Sequence, residues 1–289
     1  MSMKIKKVGV LGCGLMGSGI AEVVARSGYQ TVVREVSEDL LEKGMARIQR
    51  SLDRAVTKGK LEEQERGAIL DRLTGAVSLE ELADCDLVIE AIVESFEEKR
   101  KTFVALDREV KEGALFASNT SSLTITQLAM TTNRPERFLG LHFFNPVPVM
   151  DLVEVVGTLL TDDAALATAA EFVRSLGKTA VRCADRSGFI VNRLLVPYLL
   201  DAIRTYEQGL GSLEDIDTAM RLGCGHPMGP FTLLDFIGLD TVFHIANIMF
   251  EEFRETRFAP PPLLKQMVTA GRLGRKSGRG FYDYSEGKR

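Results

Sequence analysis

The stretch VGVLGCGLMGSGIAEVVARSGYQTVVRE, residues 8–35, decides the fold of this chain. Its first apolar run is short and continuous, as in a buried strand, and a glycine-rich turn follows it. Apolar residues at helical spacing come next, and a second apolar run ends at Glu35. A strand, a glycine turn, a helix and a strand form a βαβ unit. The stretch therefore predicts an α/β domain of the Rossmann type, which binds dinucleotides.

The turn itself has the spacing G-x-G-x-x-G, with glycines at Gly12, Gly14 and Gly17 and with Leu15 and Met16 between the last two. Gly12 permits the tight turn, Gly14 lets a pyrophosphate approach the backbone, and Gly17 allows close packing of helix on strand. Free N–H groups at the helix N-terminus attract phosphate oxygens. The alternative is a glycine turn that serves only packing, but it leaves the acidic residue after the second strand unexplained.

That acidic residue, Glu35, follows Gly12 at about the distance, roughly 20 residues, that the dinucleotide fingerprint requires. A carboxylate there accepts hydrogen bonds from both ribose hydroxyls and repels the extra phosphate of NADP. Arg34 could bind such a phosphate, but strand alternation directs it away from Glu35. We therefore predict NAD as the cofactor.

Further along the chain, strand-like and helix-like segments alternate. Strands are predicted at 85–92, 114–120, 137–144, 150–156 and 178–183, and helices at 95–111, 124–130 and 161–177. The segment from Ser37 to Leu73 is too long for a simple crossover and predicts an inserted helical arm. Beyond it, the pattern after residue 186 is almost entirely helical. We therefore expect an NAD-binding Rossmann-type domain over 1–186 and an all-α C-terminal domain over 187–289.

Composition excludes several classes of protein. The chain has 289 residues, a hydrophobic fraction of 45% and a net charge of −4 with dispersed basic residues, so we expect no nucleic-acid partner. Its four cysteines form no CxxC pair, which argues against a disulfide framework and a metal site. No apolar stretch of ~20 residues could span a membrane. The N-terminus leaves no room for a signal peptide before the first strand, and we expect a cytoplasmic protein.

One of the three histidines, His142 in GLHFFNP (140–146), stands at the end of a predicted strand, where α/β sheets bind ligands. Oxidation of an alcohol by a nicotinamide cofactor needs a base, and imidazole suits this role near neutral pH. The alternative is a core histidine packed beside Phe143 and Phe144. Glu154 could hold the imidazole if the next strand lies alongside, or it could point to solvent; spacing alone leaves both open.

Two further segments offer polar groups. SNTSSL (118–123) follows a predicted strand and has several hydroxyls at the same edge of the sheet. Asn192 stands on the first helix of the C-terminal half. Each could face the site or only cap a helix.

Long blocks of sequence resemble the L-3-hydroxyacyl-CoA dehydrogenases, particularly the bacterial 3-hydroxybutyryl-CoA dehydrogenases. The blocks occur in the family's order over almost the whole chain: VGVLGCGLMGSGIA, EAIVE, FASNTSSL, GLHFFNPVPVMDLVEVV, GFIVNRLLVPYLLDAI, DIDTAM, HPMGPF and GRKSGRGFYDY. The resemblance implies NAD-dependent oxidation at C3 of a 3-hydroxyacyl-CoA, with 3-hydroxybutyryl-CoA and acetoacetyl-CoA as the expected pair. Acyl chain-length preference, physiological direction and assembly beyond a dimer stay open.

The resemblance also implies roles for single residues. His142 is the expected base, Glu154 its partner, and Ser121 and Asn192 the groups that hold the substrate oxygen. Other expected cofactor contacts are the glycine loop, Glu35, Glu94, Lys99, Asn119, Ser121 and Lys276. Ser51 and Lys58 in the arm, the least similar region, match residues that touch CoA. The helix that begins near Asn192 implies a homodimer through the C-terminal domain, which would also serve substrate binding.

Two rival interpretations remain. The β-hydroxyacid dehydrogenases act on free acids with a similar architecture, although they use a catalytic lysine. The second interpretation is a non-catalytic protein similar to λ-crystallin.

Overall fold

The structure is a computed structural model that describes residues 3–285. The chain divides between Arg186 and Ser187 into two compact units, an α/β unit and a helical unit. Each unit is described separately below.

The first unit is built on one eight-stranded sheet in the order β3-β2-β1-β4-β5-β6-β7-β8. Neighbouring strands are parallel from β3 through β6, β7 runs antiparallel to β6, and β8 is parallel to β7. The strands are β1 (Lys7–Leu11), β2 (Gln30–Arg34), β3 (Leu73–Ala76), β4 (Leu87–Glu90), β5 (Leu115–Ser118), β6 (Phe138–Phe143), β7 (Leu152–Gly157) and β8 (Thr179–Ala184). A mixed α/β sheet followed by a helical domain confirms the predicted fold class.

Register brings the carboxyl ends of four parallel strands to one edge. Leu11 pairs with Glu90, Glu90 with Ser118, and Ser118 with Gly140. The glycine turn, the loops after β4 and β5 and the last residues of β6 therefore lie along the same edge, where open α/β sheets bind their ligands.

Helices pack on the sheet, and two of them form the segment between β2 and β3. They are α1 (Leu15–Arg26), α2 (Glu38–Thr57), α3 (Glu63–Leu70), α4 (Phe96–Glu109), α5 (Ile125–Ala129) and α6 (Asp163–Ser175). The predicted arm is formed by α2 and α3. Ser37 caps α2 by accepting a hydrogen bond from the Leu40 amide, and Leu41, Ile48 and Leu52 bury one face of the helix in the core.

The strand β3 was not predicted from the sequence. Its four residues include Gly75, two of the four are exposed, and the strand pairs only with β2 at the sheet edge. Such a short edge strand has neither the apolar run nor the alternation on which sequence recognition of strands depends.

The second unit consists of α7 (Val191–Glu207), α8 (Leu213–Gly223), α9 (Pro230–Ile237), α10 (Leu239–Phe253) and α11 (Pro262–Thr269) around its own core. Two buried carboxylates tie its segments together. Asp217 accepts hydrogen bonds from the Phe231 and Thr232 amides, and Asp235 accepts them from the Phe281 and Tyr282 amides. Burial raises the pKa of Asp235 even though these amides oppose the shift.

Within residues 3–285, no single helix has the length and apolarity to cross a membrane; α9 and α10 meet these criteria only as a pair bent by 94°.

A buried lysine fixes the loop that follows β6. Lys178 precedes β8, is 8% exposed, and donates hydrogen bonds of 2.7 Å to the carbonyls of both Val147 and Met150. Burial lowers the pKa of Lys178. The Asn145–Pro146 peptide in this loop is cis. Lys178 therefore holds the backbone that leaves the strand of His142.

We predict that Lys178→Met lowers the free energy of unfolding by about 2–3 kcal/mol, because methionine fills similar space but leaves the Val147 and Met150 carbonyls without their charged donor. Urea denaturation followed by circular dichroism measures the change. Lys101→Met, at an exposed lysine on α4, serves as the control and should leave the midpoint unchanged. Equal midpoints for both variants would contradict the proposed hold on the loop.

Candidate active site

The glycine turn is shaped as the motif predicts. Gly12 has a φ of 84°, and a Cβ on Gly17 would lie 1.8 Å from the Gly12 carbonyl oxygen, so only glycine fits both positions. At Gly14, by contrast, a Cβ would have no protein atom within 4 Å apart from its neighbours along the chain. The backbone is thus open at the position where a pyrophosphate would approach the N-terminus of α1.

Glu35 and an arginine from the arm hold the backbone of one residue of this turn, Cys13, by its amide and by its carbonyl. The Glu35 carboxylate accepts a hydrogen bond of 2.5 Å from the Cys13 amide, and Arg47 on α2 donates one of 2.8 Å to the Cys13 carbonyl. The helix comes this close because α2 has Gly44 there, where a Cβ would lie 2.4 Å from the Cys13 sulfur. Burial raises the pKa of the Cys13 thiol to about 12, so the thiol is protonated and unreactive near neutral pH.

These features fit a dinucleotide. Glu35 stands at the end of β2, as the motif requires of a ribose acceptor. Arg34 donates its Nε hydrogen to the Val77 carbonyl, so its side chain is committed to the β3 side of the sheet. The open backbone at Gly14 leaves room for the phosphates.

His142 and Glu154 form a buried pair. They face each other directly in the antiparallel register of β6 and β7, and His142 Nδ1 lies 2.7 Å from a Glu154 carboxylate oxygen. Glu154 is completely buried and His142 is 6% exposed, which excludes the interpretation that Glu154 points to solvent. The Phe144 ring packs on the imidazole with centroids 4.5 Å apart. His142 is therefore both packed and held by a carboxylate.

The loop after β5 is organised by Glu94. One Glu94 oxygen, Oε1, accepts hydrogen bonds from the Thr120 hydroxyl, the Ser121 amide and the Ser122 hydroxyl. Partial burial would raise the pKa of Glu94, but the Lys99 ammonium and these hydroxyls outweigh it and hold the pKa below its usual value. Ser121 belongs to the loop after β5, at the carboxyl edge of the sheet, and is partly buried.

Lys99 and Asn119 occupy different settings at this edge. Lys99 is 1% exposed and lies 2.5 Å from Glu90 and 3.2 Å from Glu94. Asn119 uses its Oδ1 to accept a hydrogen bond from the Phe143 amide, which ties the loop after β5 to the end of β6.

Ser51 faces a groove between the arm, α1 and the loop after β6. The groove has a volume of about 120 Å³ and its lining includes Arg47, Arg54 and Pro146. Ser51 interacts with the buried carboxylate of Glu22, whose pKa is raised by burial and lowered less strongly by Ser51 and the neighbouring arginines. Lys58 follows the last turn of α2 and is exposed.

The two remaining predicted residues belong to the helical unit. Asn192 stands in the first turn of α7 and is partly buried. Lys276, in a 3₁₀ turn over Arg275–Ser277, forms an ion pair of 2.6 Å with Asp240 at the start of α10.

Sequence reasoning missed Glu22, Arg47 and Glu90. The first two lie on helices, where a charged residue is usually a solvated one, and only the packing of α2 on α1 turns them inward. Glu90 could have been found from the sequence, because it lies in the apolar run CDLVIEAI, and a buried acid there needs a hydrogen-bonding partner.

Within residues 3–285, no cluster of three or more histidine, cysteine or acidic side chains could hold a metal ion, and the four cysteines are free.

Comparison with known proteins identifies the family of the chain. Residues 7–186 match the family description "3-hydroxyacyl-CoA dehydrogenase, NAD binding domain", and residues 188–284 match "3-hydroxyacyl-CoA dehydrogenase, C-terminal domain". The chain is 56% identical over 286 residues to a 3-hydroxybutyryl-CoA dehydrogenase of Mycobacterium tuberculosis, covering 98% of this chain and 100% of the relative. It is 50% identical over 288 residues to one of Bradyrhizobium diazoefficiens, covering 100% of this chain and 98% of that protein.

A solved structure is similar throughout. The (S)-3-hydroxybutyryl-CoA dehydrogenase PaaH1 from Ralstonia eutropha aligns with a TM-score of 0.95 at 43% identity, covering 98% of this chain and 100% of that one. The predicted family, enzyme class and cofactor are confirmed. The chain belongs to the 3-hydroxyacyl-CoA dehydrogenase family and is an NAD-dependent dehydrogenase of that family.

Proposed function

We propose that the chain interconverts 3-hydroxyacyl-CoA and 3-ketoacyl-CoA thioesters with NAD, and that 3-hydroxybutyryl-CoA and acetoacetyl-CoA are its substrates. The observation that carries the proposal is the buried pair of His142 and Glu154, 2.7 Å apart, at the same carboxyl edge as the glycine turn. A carboxylate that grips one imidazole nitrogen is the arrangement that orients a catalytic histidine.

In the oxidative direction, His142 acts as the base. Because Glu154 holds Nδ1, we assign Nε2 as the atom that removes the proton from the 3-hydroxyl. Glu154 fixes the ring orientation and offsets the positive charge that develops on the imidazole. In reduction, the imidazolium returns the proton to the same oxygen.

Other residues of the chain bind and orient. Ser121 and Asn192 donate hydrogen bonds to the substrate oxygen while charge develops on it. Bound NAD⁺ supplies the hydride acceptor. Gly12, Gly14, Leu15, Met16 and Gly17 form its phosphate turn. The ribose acceptor is Glu35, and Glu94, Lys99, Asn119 and Lys276 complete the proposed cofactor set, either by contact or by holding a neighbour.

The CoA part of the substrate is assigned to the arm. Ser51 lines the groove between α1 and α2, and Lys58 stands exposed at the end of the same helix. A lysine in that position can pair with a phosphate of CoA. The relatives named above, which bear the name of a CoA-thioester dehydrogenase, support this substrate class.

Assembly and location complete the proposal. We assign a homodimer through the helical unit, because the sequence of α7 resembles the dimer-forming helix of the family. We propose a cytoplasmic enzyme that works without nucleic acid or membrane. Light scattering coupled to gel filtration tests the dimer.

The NADH absorbance trace tests the function directly. The chain should oxidise NADH with acetoacetyl-CoA and fail with free acetoacetate, and rates across C4 to C16 3-ketoacyl-CoA substrates give the chain-length preference. Equal turnover of the free acid would favour the β-hydroxyacid dehydrogenase interpretation. Absence of turnover with every thioester would favour a non-catalytic, λ-crystallin-like role.

We predict that His142→Gln lowers kcat by about 10²–10⁴-fold, because glutamine cannot take up the proton. NADH binding, measured by fluorescence titration, should stay at the level of the unchanged chain. His244→Gln, at an exposed histidine of α10, is the matched control and should retain full turnover. Near-normal kcat in His142→Gln would remove His142 from the mechanism.

We predict that Glu154→Gln lowers kcat by about 10²-fold or more while circular dichroism stays unchanged. Glutamine has the same size and can still accept a hydrogen bond, but it lacks the negative charge that stabilises the imidazolium. Glu171→Gln, exposed on α6, controls for loss of one carboxylate. If kcat of Glu154→Gln equals that of the control, the ion-pair role must be abandoned.

We predict that Glu35→Ala lowers the preference for NADH over NADPH by about 10- to 100-fold. Hydrogen bonds to a charged group are worth roughly 1.5–3 kcal/mol, and the charge that repels the extra phosphate is lost. The ratio of kcat/KM for the two cofactors measures the change. Glu38→Ala, exposed in the first turn of α2, should leave the ratio unaltered. An unaltered ratio in Glu35→Ala would assign cofactor choice to another group.

A further inference from the structure

Glu90, at the end of β4, is a completely buried carboxylate surrounded by donors. It accepts hydrogen bonds from Lys99 Nζ at 2.5 Å, from the Ser118 hydroxyl at 2.6 Å and from the Ile92 amide at 2.8 Å. Ser118 ends β5, so Glu90 joins the ends of two strands to the start of the loop after β4. Each contact uses a group at the carboxyl edge of the sheet.

Lys99 connects Glu90 to a second carboxylate, Glu94. Its ammonium is 1% exposed and lies between Glu90 and Glu94, 3.2 Å from Glu94 Oε2. The same ammonium therefore contacts both carboxylates, so Lys99 can act on the serine loop through Glu94.

Glu94 transmits the effect to the serine loop. Lys99 holds Oε2, and the other oxygen, Oε1, accepts from the Ser121 amide and the Ser122 hydroxyl. The Glu94 side chain is 29% exposed and would otherwise sample several rotamers. With one oxygen fixed, the second has a defined position from which it orients the loop.

We infer that Glu90 and Lys99 are positioning residues that, through Glu94, fix the loop that presents Ser121 to the substrate oxygen. The inference rests on the proposed function of Ser121. A buried ion pair is weak evidence for stability, because the cost of desolvating both charges offsets their attraction. The charged pair can orient Glu94, whereas an apolar pair of the same volume could not.

The double variant Glu90→Gln/Lys99→Met tests the inference, because it removes both charges together and leaves neither uncompensated. The matched control is Glu98→Gln/Lys101→Met, which removes an exposed ion pair from the same helix. With acetoacetyl-CoA and NADH, kcat should fall about 10- to 100-fold in the first variant, since small misplacement of a reacting group is costly. In the control, kcat and the KM for NADH should both stay unchanged.

A double-mutant cycle separates positioning from a general structural effect. Ser121→Ala should lower kcat strongly in the unchanged chain and much less in Glu90→Gln/Lys99→Met, where the hydroxyl is already misplaced. Equal losses in both backgrounds would mean that the pair does not act through Ser121.

Hydrogen exchange gives a readout that does not depend on activity. The amide of Ser121 should lose protection in Glu90→Gln/Lys99→Met and keep it in the control. Ser122→Ala leaves the buried pair intact, so it should fold even if the double variant does not, and it should also raise exchange in residues 118–124 and lower kcat. Unchanged exchange and kcat in the variant that folds would overturn the inference.

The two proposals fail in distinguishable ways. If the unchanged chain does not turn over acetoacetyl-CoA, the proposed function fails, and the exchange of the Ser121 amide still decides whether Glu90 and Lys99 position the loop. If the unchanged chain is active and the double variant matches it in kcat and exchange, only the positioning role fails.

Discussion

The cost of removing a carboxylate from water is the constraint on which the carboxyl edge of the sheet depends. Glu90 and Glu154 are both completely buried in strands of one sheet, and an ionised carboxylate in such a place is tolerated only with close donors. Glu154 therefore requires His142, and Glu90 requires Lys99. Each buried carboxylate therefore fixes the orientation of the side chain that contacts it, His142 in one case and Lys99 in the other.

The reversal of strand direction between β6 and β7 determines which residue His142 can meet. The preceding strands are parallel and joined through helices, so residues close in sequence do not face each other across them. The antiparallel hairpin instead pairs His142 directly with Glu154. A slip of one residue would turn Glu154 to the opposite face of the sheet. The register of β6 and β7 therefore determines that His142 and Glu154 meet. Lys178, which holds the connecting loop by two carbonyls, secures that register from the neighbouring strand.

Features carried by local pattern could be predicted from the sequence, whereas features created by packing could not. The glycine turn, the alternation of strands and helices, and the change to an all-helical half follow from spacing alone, and so does the position of His142 at a strand end. The edge strand β3 has too few apolar residues to be recognised. Whether Glu154 was buried depended on a strand pairing that spacing left open. Arg47 and Lys99 are charged helix residues, and only the contact of their helices with the sheet edge shows which partners they have.

The contacts of Cys13 join the glycine turn to the arm. Glu35 accepts from the amide of Cys13 and Arg47 donates to its carbonyl, so the backbone of this residue is held both by the proposed ribose acceptor and by a residue of α2. A change at Glu35 would therefore remove both the proposed ribose acceptor and the hydrogen bond to the Cys13 amide. A change at Arg47 would remove only the hydrogen bond to the Cys13 carbonyl. Arg47 also lines the groove that contains Ser51, so one side chain of the arm contacts both the groove and the glycine turn. The packing of α2 on α1 therefore brings the surface that we propose for the thioester next to the turn that we propose for the dinucleotide.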